Sequence, residues 1–192
     1  SNTIFENQTW KGTERVTERY TVSAEKLTEI VTAIFQKNGL TSDDASTLAE
    51  SLVEANVRGM HSHGVLRVEN YVKKLQVGST NPHPNIRIVR ETPVSAVLDG
   101  DNGLGAIVSV RAMELCRKKA EESGIACVTV RNSNHYGTSA YYCERMAKDD
   151  MLAFSCSNVE PIMAPPGAKR VAVGNNPFCM VAPAGKYPNF CS

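Results

Sequence analysis

Three chemically versatile side chains recur at intervals of four residues. His63, Arg67 and Tyr71 stand at positions i, i+4 and i+8, which share one face of an α-helix. An imidazole exchanges a proton near neutral pH, a guanidinium binds a carboxylate through two parallel hydrogen bonds, and a phenol binds a further polar oxygen. Together they suit a small hydroxy acid or keto acid. The same spacing is common on solvated helix faces, and that alternative stays open at this point.

A second candidate site is the loop at 132–137, with the sequence Asn-Ser-Asn-His-Tyr-Gly. It lies between a predicted strand and a predicted helix, at the strand end where ligands gather in α/β units. His135 is the candidate general acid or base of this loop. The alternative is a capping loop, in which Asn134 or Ser133 caps the helix and His135 only packs.

A third segment, Gly-Asn-Asn-Pro at 174–177, is typical of a tight turn that brings the backbone close to the occupant of a cleft. The sequence contains no P-loop, no GxSxG and no HExxH motif, and the glycines at 100–105 do not match the Rossmann pattern. No metal site is predicted, because His61 and His63 do not share a helical face and the cysteines lack metal-binding spacing.

Composition and charge exclude other classes of function. The chain has 192 residues, 42% of them hydrophobic, and a formal net charge of +1. A balanced charge provides no basic field, so nucleic-acid binding is not expected. The longest apolar runs, at 151–156 and 179–184, are far shorter than the roughly 20 residues of a membrane-spanning helix. The N-terminal segment lacks an apolar signal region, so no membrane partner and a cytoplasmic location are predicted.

The elements that would hold these residues follow from apolar periodicity and from capping residues. A mixed α/β fold is predicted, in which helices come first and alternating strands and helices follow. Thr41 is the predicted cap of the second helix, and Gly39, Gly59 and Gly124 end helices. Helices are predicted over 23–39, 41–58, 65–78, 106–122 and 138–148, and strands over 94–98, 125–130, 151–155 and 178–182. The last residues, 186–192, resemble the start of a further strand, so a truncated polypeptide is predicted.

These segments resemble the type-2 malate/L-lactate dehydrogenase family, which includes ureidoglycolate, sulfolactate and diketogulonate dehydrogenases. Residues 58–67 are similar to its SHG(V)xR signature, residues 134–137 to its NHxG loop, and residues 174–177 to its GTNP turn, with Asn175 in place of threonine. The resemblance runs from about Val22 to Ala184. Arg67 with Tyr71 is closest to the ureidoglycolate pattern, whereas NHYG is closer to malate and lactate members.

The resemblance implies an oxidoreductase that transfers a hydride between NAD or NADP and a small 2-hydroxy or 2-keto acid, and that forms a homodimer. It implies that His63 and His135 are acid/base candidates and that Ser62 orients His63. Arg67 would bind the substrate carboxylate and Tyr71 the distal end of the substrate. The residues expected to face the nicotinamide or its ribose are Asn158, Val159, Glu160, Asn175 and Asn176.

The patterning of the chain and the resemblance together predict a domain organisation. Residues 1–22 would be an N-terminal arm, residues 23–80 a helical segment for substrate binding and dimerisation, and residues 81–192 the first part of a family-specific, non-Rossmann nicotinamide-binding α/β domain. Family chains are considerably longer, and Asn175 changes a hydrogen-bonding side chain next to the expected cofactor. The alternative function is therefore a catalytically inactive family member that acts as an interaction or scaffold protein.

Overall fold

The computed structural model describes residues 2–11 and 14–192. Two strands that the sequence did not predict, β1 (Asn2–Lys11) and β2 (Glu14–Ser23), lie in the segment expected to be an arm and pair antiparallel. The rest of the chain mixes helices with two three-stranded sheets, which confirms the predicted mixed fold class. No helix in the described ranges is both long and apolar enough to cross a membrane.

The first two helices match their sequence signals. Helix α1 (Ala24–Lys37) begins after Ser23, whose hydroxyl accepts the amide of Lys26, and helix α2 (Ser42–Val57) begins after Thr41, whose hydroxyl accepts the amide of Asp44. These bonds satisfy amides that a helix N-terminus leaves unpaired. The apolar faces of α1 and α2 enter one core together with residues of later elements, including Leu27, Val31, Phe35, Leu48, Leu52, Leu75 and Ile107.

The third predicted helix is shorter than expected. Residues 61–63 and 65–67 form two 3₁₀ turns, and the α-helix, α3 (Val68–Gln76), begins only at Val68. The prediction that His63, Arg67 and Tyr71 share one face of one helix is therefore wrong. Gly64 lies between the two turns and packs against α2, where a Cβ would be 1.8 Å from Asn56 Oδ1, so the position requires glycine.

The first sheet contains the strand that leads into the second candidate loop. Strand β3 (Arg87–Thr92) pairs antiparallel with β4 (Ser95–Gly103), and β4 pairs parallel with β5 (Cys127–Ser133). Helix α4 (Gly105–Ser123) makes the crossover and ends at Gly124, which has a φ of +79°. The sequence did not predict β3, because every residue of that strand is exposed and no alternation marks it.

The second sheet is separate from the first. Helix α5 (Ser139–Lys148) leads to β6 (Ala153–Cys156), which pairs antiparallel with β7 (Phe178–Ala182), and β7 pairs with β8 (Phe190–Cys191). Strand β6 therefore belongs to a different sheet from β5, although a helix connects the two strands along the chain. Ion pairs fasten α5 to α2: Arg145 lies 3.0 Å from Glu54, and Arg58 lies 3.3 Å from Glu144.

Candidate active site

Two of the three candidate segments meet in the structure. The imidazole rings of His63 and His135 lie with their centroids 5.5 Å apart. Tyr71, on α3, is only 3% exposed, and its hydroxyl oxygen lies 2.6 Å from His135 Nδ1. The 3₁₀ turns before α3 and the loop after β5 thus form one cluster of titratable groups.

The loop that carries His135 is fixed against the start of α4. The side-chain amide of Asn134 donates to the carbonyl oxygens of Asn102 and Gly103, at 3.1 and 3.0 Å. A Cβ at Gly105 would lie 2.2 Å from the carbonyl oxygen of Asn134, so only glycine permits this approach. Asn134 therefore joins β5 to the β4–α4 connection. The capping alternative is wrong, since Thr138 occupies the N-cap of α5 without a side-chain cap.

The hydrogen bonds of His135 determine which ring nitrogen carries the proton. The amide of Gly137 points at His135 Nδ1 from 3.4 Å, and a backbone amide can only donate. Nδ1 is therefore the acceptor, so the Tyr71 hydroxyl donates to it. The proton of the neutral ring then lies on Nε2, which has no hydrogen-bond partner among the described residues and can donate to a ligand.

His63 is held by its own turn. Ser62 Oγ lies 3.0 Å from His63 Nδ1, in agreement with the expected orienting contact. Arg67 donates through Nε to the carbonyl oxygen of Ser62 at 2.7 Å, which fixes the plane of the guanidinium. Its two terminal nitrogens form no hydrogen bond or ion pair with any residue that the structure describes. They are therefore available to a ligand carboxylate.

Sequence reasoning missed the residue that shapes this turn. Asn56, on α2, is 5% exposed; its Nδ2 donates to His61 Nδ1 at 2.9 Å and its Oδ1 accepts the amide of Val65 at 2.7 Å. Both ends of the turn that carries His63 are thus tied to α2. A buried amide inside the apolar pattern of α2 was the available signal, because buried polar groups need partners.

The electrostatics of the cluster favour neutral imidazoles. Desolvation lowers the pKa of His135 to about 4, and the charges of Arg67, His63 and Lys74 act in the same direction. The pKa of His63 is lowered by desolvation and by Arg67. Burial raises the pKa of Tyr71 to about 12, although Arg67 opposes this rise. Lys74, which sequence reasoning missed, follows Tyr71 by three residues and adds a second cation near the cluster.

The expected cofactor residues form a separate unit. Loop 158–160 follows β6 and turn 174–176 precedes β7; Asn176 Oδ1 accepts the amide of Val159 at 3.0 Å. A Cβ at Gly174 would lie 2.2 Å from the carbonyl oxygen of Val159, so the two segments are in close backbone contact. Asn158, Glu160 and Asn175 are exposed. In the described part of the chain, no hydrogen bond joins this unit to the histidine cluster.

No group of three or more His, Cys, Asp or Glu side chains able to hold a metal ion occurs within residues 2–11 and 14–192. The cations near the histidines, Arg67 and Lys74, also form no ion pair with an acidic residue in these ranges. The arrangement therefore offers proton exchange beside a positive charge. It suits a small anion that carries a reacting oxygen.

Comparisons with known proteins agree with this chemistry. A family model described as malate/L-lactate dehydrogenase matches residues 22–192. The malate dehydrogenase of Pyrococcus horikoshii is 41% identical over 87% of this chain and 46% of its own length. The L-sulfolactate dehydrogenase of Methanocaldococcus jannaschii is 40% identical over 83% and 46% of the two chains. The ureidoglycolate dehydrogenase (NAD(+)) of Escherichia coli O157:H7 is 33% identical over 84% and 46%.

Solved structures show the same relation. The Pyrococcus horikoshii malate dehydrogenase superposes with a TM-score of 0.86 at 40% identity, over 89% of this chain and 49% of that chain. The Methanocaldococcus jannaschii sulfolactate dehydrogenase superposes with a TM-score of 0.85 at 39% identity, over 88% and 49%. The chain spans about half the length of the curated relatives that it matches. Its fold is therefore the one that these dehydrogenases share.

Proposed function

The chain belongs to the malate/L-lactate dehydrogenase family, and we propose that its full-length protein transfers a hydride between a nicotinamide cofactor, NAD or NADP, and a small 2-hydroxy acid. The reverse reaction reduces the 2-keto acid. The observation that carries this proposal is the pair of imidazoles 5.5 Å apart beside the free guanidinium edge of Arg67.

Arg67 is the proposed carboxylate-binding residue. Its Nε is occupied by the Ser62 carbonyl, so the terminal nitrogens present a preoriented pair of donors. A carboxylate fits such a pair through two parallel hydrogen bonds. The carboxylate next to the reacting carbon would then hold that carbon close to the imidazoles.

We assign different tasks to the two histidines. His135 carries its proton on Nε2 and stays neutral, so it donates a hydrogen bond to the reacting oxygen and polarises a carbonyl, as a neutral imidazole can. His63 uses Nδ1 for the contact with Ser62 and keeps Nε2 for proton transfer. It takes the hydroxyl proton in oxidation and returns a proton in reduction. Tyr71 orients His135 instead of binding the distal end of the substrate.

The loops at 158–160 and 174–176 fit a nicotinamide nucleotide by the chemistry of their donors and acceptors. The side-chain amides of Asn158 and Asn175 are exposed and form no hydrogen bond within the part of the chain that the structure describes. Such amides match a carboxamide or ribose hydroxyls. When bound, the nicotinamide supplies the carbon that accepts the hydride in oxidation and releases it in reduction. Homodimerisation remains a prediction from the family resemblance, and a cytoplasmic location remains a prediction from the N-terminal sequence.

The test uses the full-length protein with NADH and NADPH separately, against oxaloacetate, pyruvate and oxalurate. We expect consumption of reduced cofactor with at least one keto acid. His63→Ala and His135→Ala should each lower the rate roughly 10²–10⁴-fold. The matched control is His83→Ala, since His83 is exposed and lies outside the cluster.

Equal rates in wild type, His63→Ala and His135→Ala would contradict the proposed roles. A folded protein that consumes no cofactor and binds no nicotinamide would contradict the dehydrogenase function itself. That second result would favour the scaffold alternative.

A further inference from the structure

The His135 loop is held from a side that the proposed chemistry does not use. Tyr142, on α5, is 5% exposed, and its hydroxyl donates to the carbonyl oxygen of Tyr136, the residue after His135. The rings of Tyr136 and Tyr142 stack with centroids 5.4 Å apart and an interplanar angle of 4°. The hydrogen bond and the stack therefore hold the backbone and the side chain of the same residue, Tyr136, against α5.

The other side of the loop is fixed independently. Asn134 binds the β4–α4 connection, and Gly105 lies directly under the carbonyl of Asn134. His135 thus lies between two anchored neighbours, with its ring nitrogen 2.6 Å from the Tyr71 hydroxyl. A displacement of either neighbour would change the direction in which His135 Nε2 points.

We propose, on the basis of the function proposed above, that Tyr142 is a positioning residue: its phenol holds the Tyr136 carbonyl and thereby keeps the His135 imidazole aligned on the reacting oxygen. Tyr142 does not touch the imidazole, so it acts through the backbone of the loop. A misplacement of about 1 Å at a reacting group can cost about a hundredfold in rate.

Burial keeps the Tyr142 phenol a donor at neutral pH. Desolvation raises the pKa of Tyr142 well above its usual range, so the hydroxyl retains its proton at neutral pH. It can therefore donate to the Tyr136 carbonyl under those conditions.

The neighbouring tyrosine provides a matched control. Tyr141 is 2% exposed and lies edge-on to Tyr142 at 5.2 Å, but its hydroxyl forms no hydrogen bond among the described residues. The guanidinium carbon of Arg145 lies over the Tyr141 ring, 3.5 Å from the ring centroid. Tyr141→Phe and Tyr142→Phe each remove one phenol hydroxyl from a buried tyrosine of α5, and only the second change removes a bond to the His135 loop.

The experiment measures kcat and KM for the keto acid in the full-length protein. Tyr142→Phe should lower kcat about 10- to 100-fold and leave KM within about twofold, because the carboxylate site at Arg67 is intact. Tyr141→Phe should change both by less than about twofold. Equal effects of the two variants would overturn the positioning role and leave Tyr142 an ordinary core residue.

Two further readouts separate positioning from a general loss of packing. In a His135→Ala background, Tyr142→Phe should lower the residual rate no further, since its effect passes through His135; an undiminished second loss would overturn the proposal. The ¹⁵N chemical shifts of the His135 ring, measured by NMR, should change in Tyr142→Phe and stay the same in Tyr141→Phe. This readout needs no turnover, so an unshifted ring overturns the proposal even in a protein that lacks dehydrogenase activity, whereas inactivity alone contradicts only the proposed function.

Discussion

Removal of the Tyr71 hydroxyl tests the hydrogen-bonding scheme of the cluster. In Tyr71→Phe, His135 Nδ1 loses its 2.6 Å donor and keeps only the distant amide of Gly137. A hydrogen bond between neutral groups contributes about 0.5–1.5 kcal/mol. Because the phenol stabilises the unprotonated nitrogen, its loss makes protonation easier. At 1.36 kcal/mol per unit, the pKa of His135 should rise by about 0.4–1.1 units.

The lowered pKa of His135 also makes the stability of the folded protein depend on pH. The folded-state pKa of His135 is about 4, below its ordinary value of 6.5, so the folded protein binds fewer protons than the unfolded chain between these pH values. The corresponding stability is present above pH 6.5 and is lost as the pH falls towards 4. Because Tyr71→Phe should raise the folded-state pKa of His135, it should narrow the pH range over which this stability is lost, by raising the lower limit of that range.

NMR titration of the His135 ring in the full-length protein measures the shift directly, and kcat is measured on the same samples. The matched control is Tyr136→Phe, which removes a hydroxyl that lies 2.6 Å from Ser139 Oγ and not from the imidazole. The reasoning is refuted if Tyr71→Phe leaves the pKa of His135 unchanged, or if Tyr136→Phe shifts it equally.

Three further changes probe other contacts of the site. Arg67→Gln should raise the pKa of both imidazoles, because the guanidinium lowers them, and should move the acid limb of the kcat/KM profile to higher pH; an unmoved limb would contradict this. Asn56→Ala leaves an imidazole nitrogen and the amide of Val65 unpaired and should cost about 1–3 kcal/mol in urea unfolding. Gly105→Ala places a Cβ 2.2 Å from the carbonyl of Asn134 and should lower kcat more than it raises KM; a larger change in KM would argue against loop displacement.

The sequence predicted best where a local signal decides the structure. Thr41 caps α2 as predicted, because a threonine hydroxyl three residues before an exposed amide needs no tertiary partner. Strand β7 has the predicted bounds, since its short apolar run is isolated between turn residues. Gly124 ends α4 in the left-handed conformation that glycine adopts readily.

Tertiary contacts decided the rest. The 3₁₀ turns at 61–67 depend on Asn56, which reaches them from another helix. Apolar periodicity alone could not reveal this contact, so the predicted third helix begins before Val68. The contact of Tyr71 with His135 joins residues that are far apart in sequence, and spacing within one segment could not reveal it. The bond from Tyr142 to the Tyr136 carbonyl involves a backbone acceptor, which no side-chain pattern marks.

The most direct test of the proposed function follows the hydrogen on the reacting carbon. The full-length protein is incubated with NAD+ or NADP+ and a 2-hydroxy acid that carries deuterium at C2, and the reduced nicotinamide that forms is analysed by mass spectrometry. The cluster of His63, His135 and Arg67 is proposed to move only the hydroxyl proton, so the deuterium should appear in the cofactor. Deuterium released to water would contradict hydride transfer and with it the proposed chemistry.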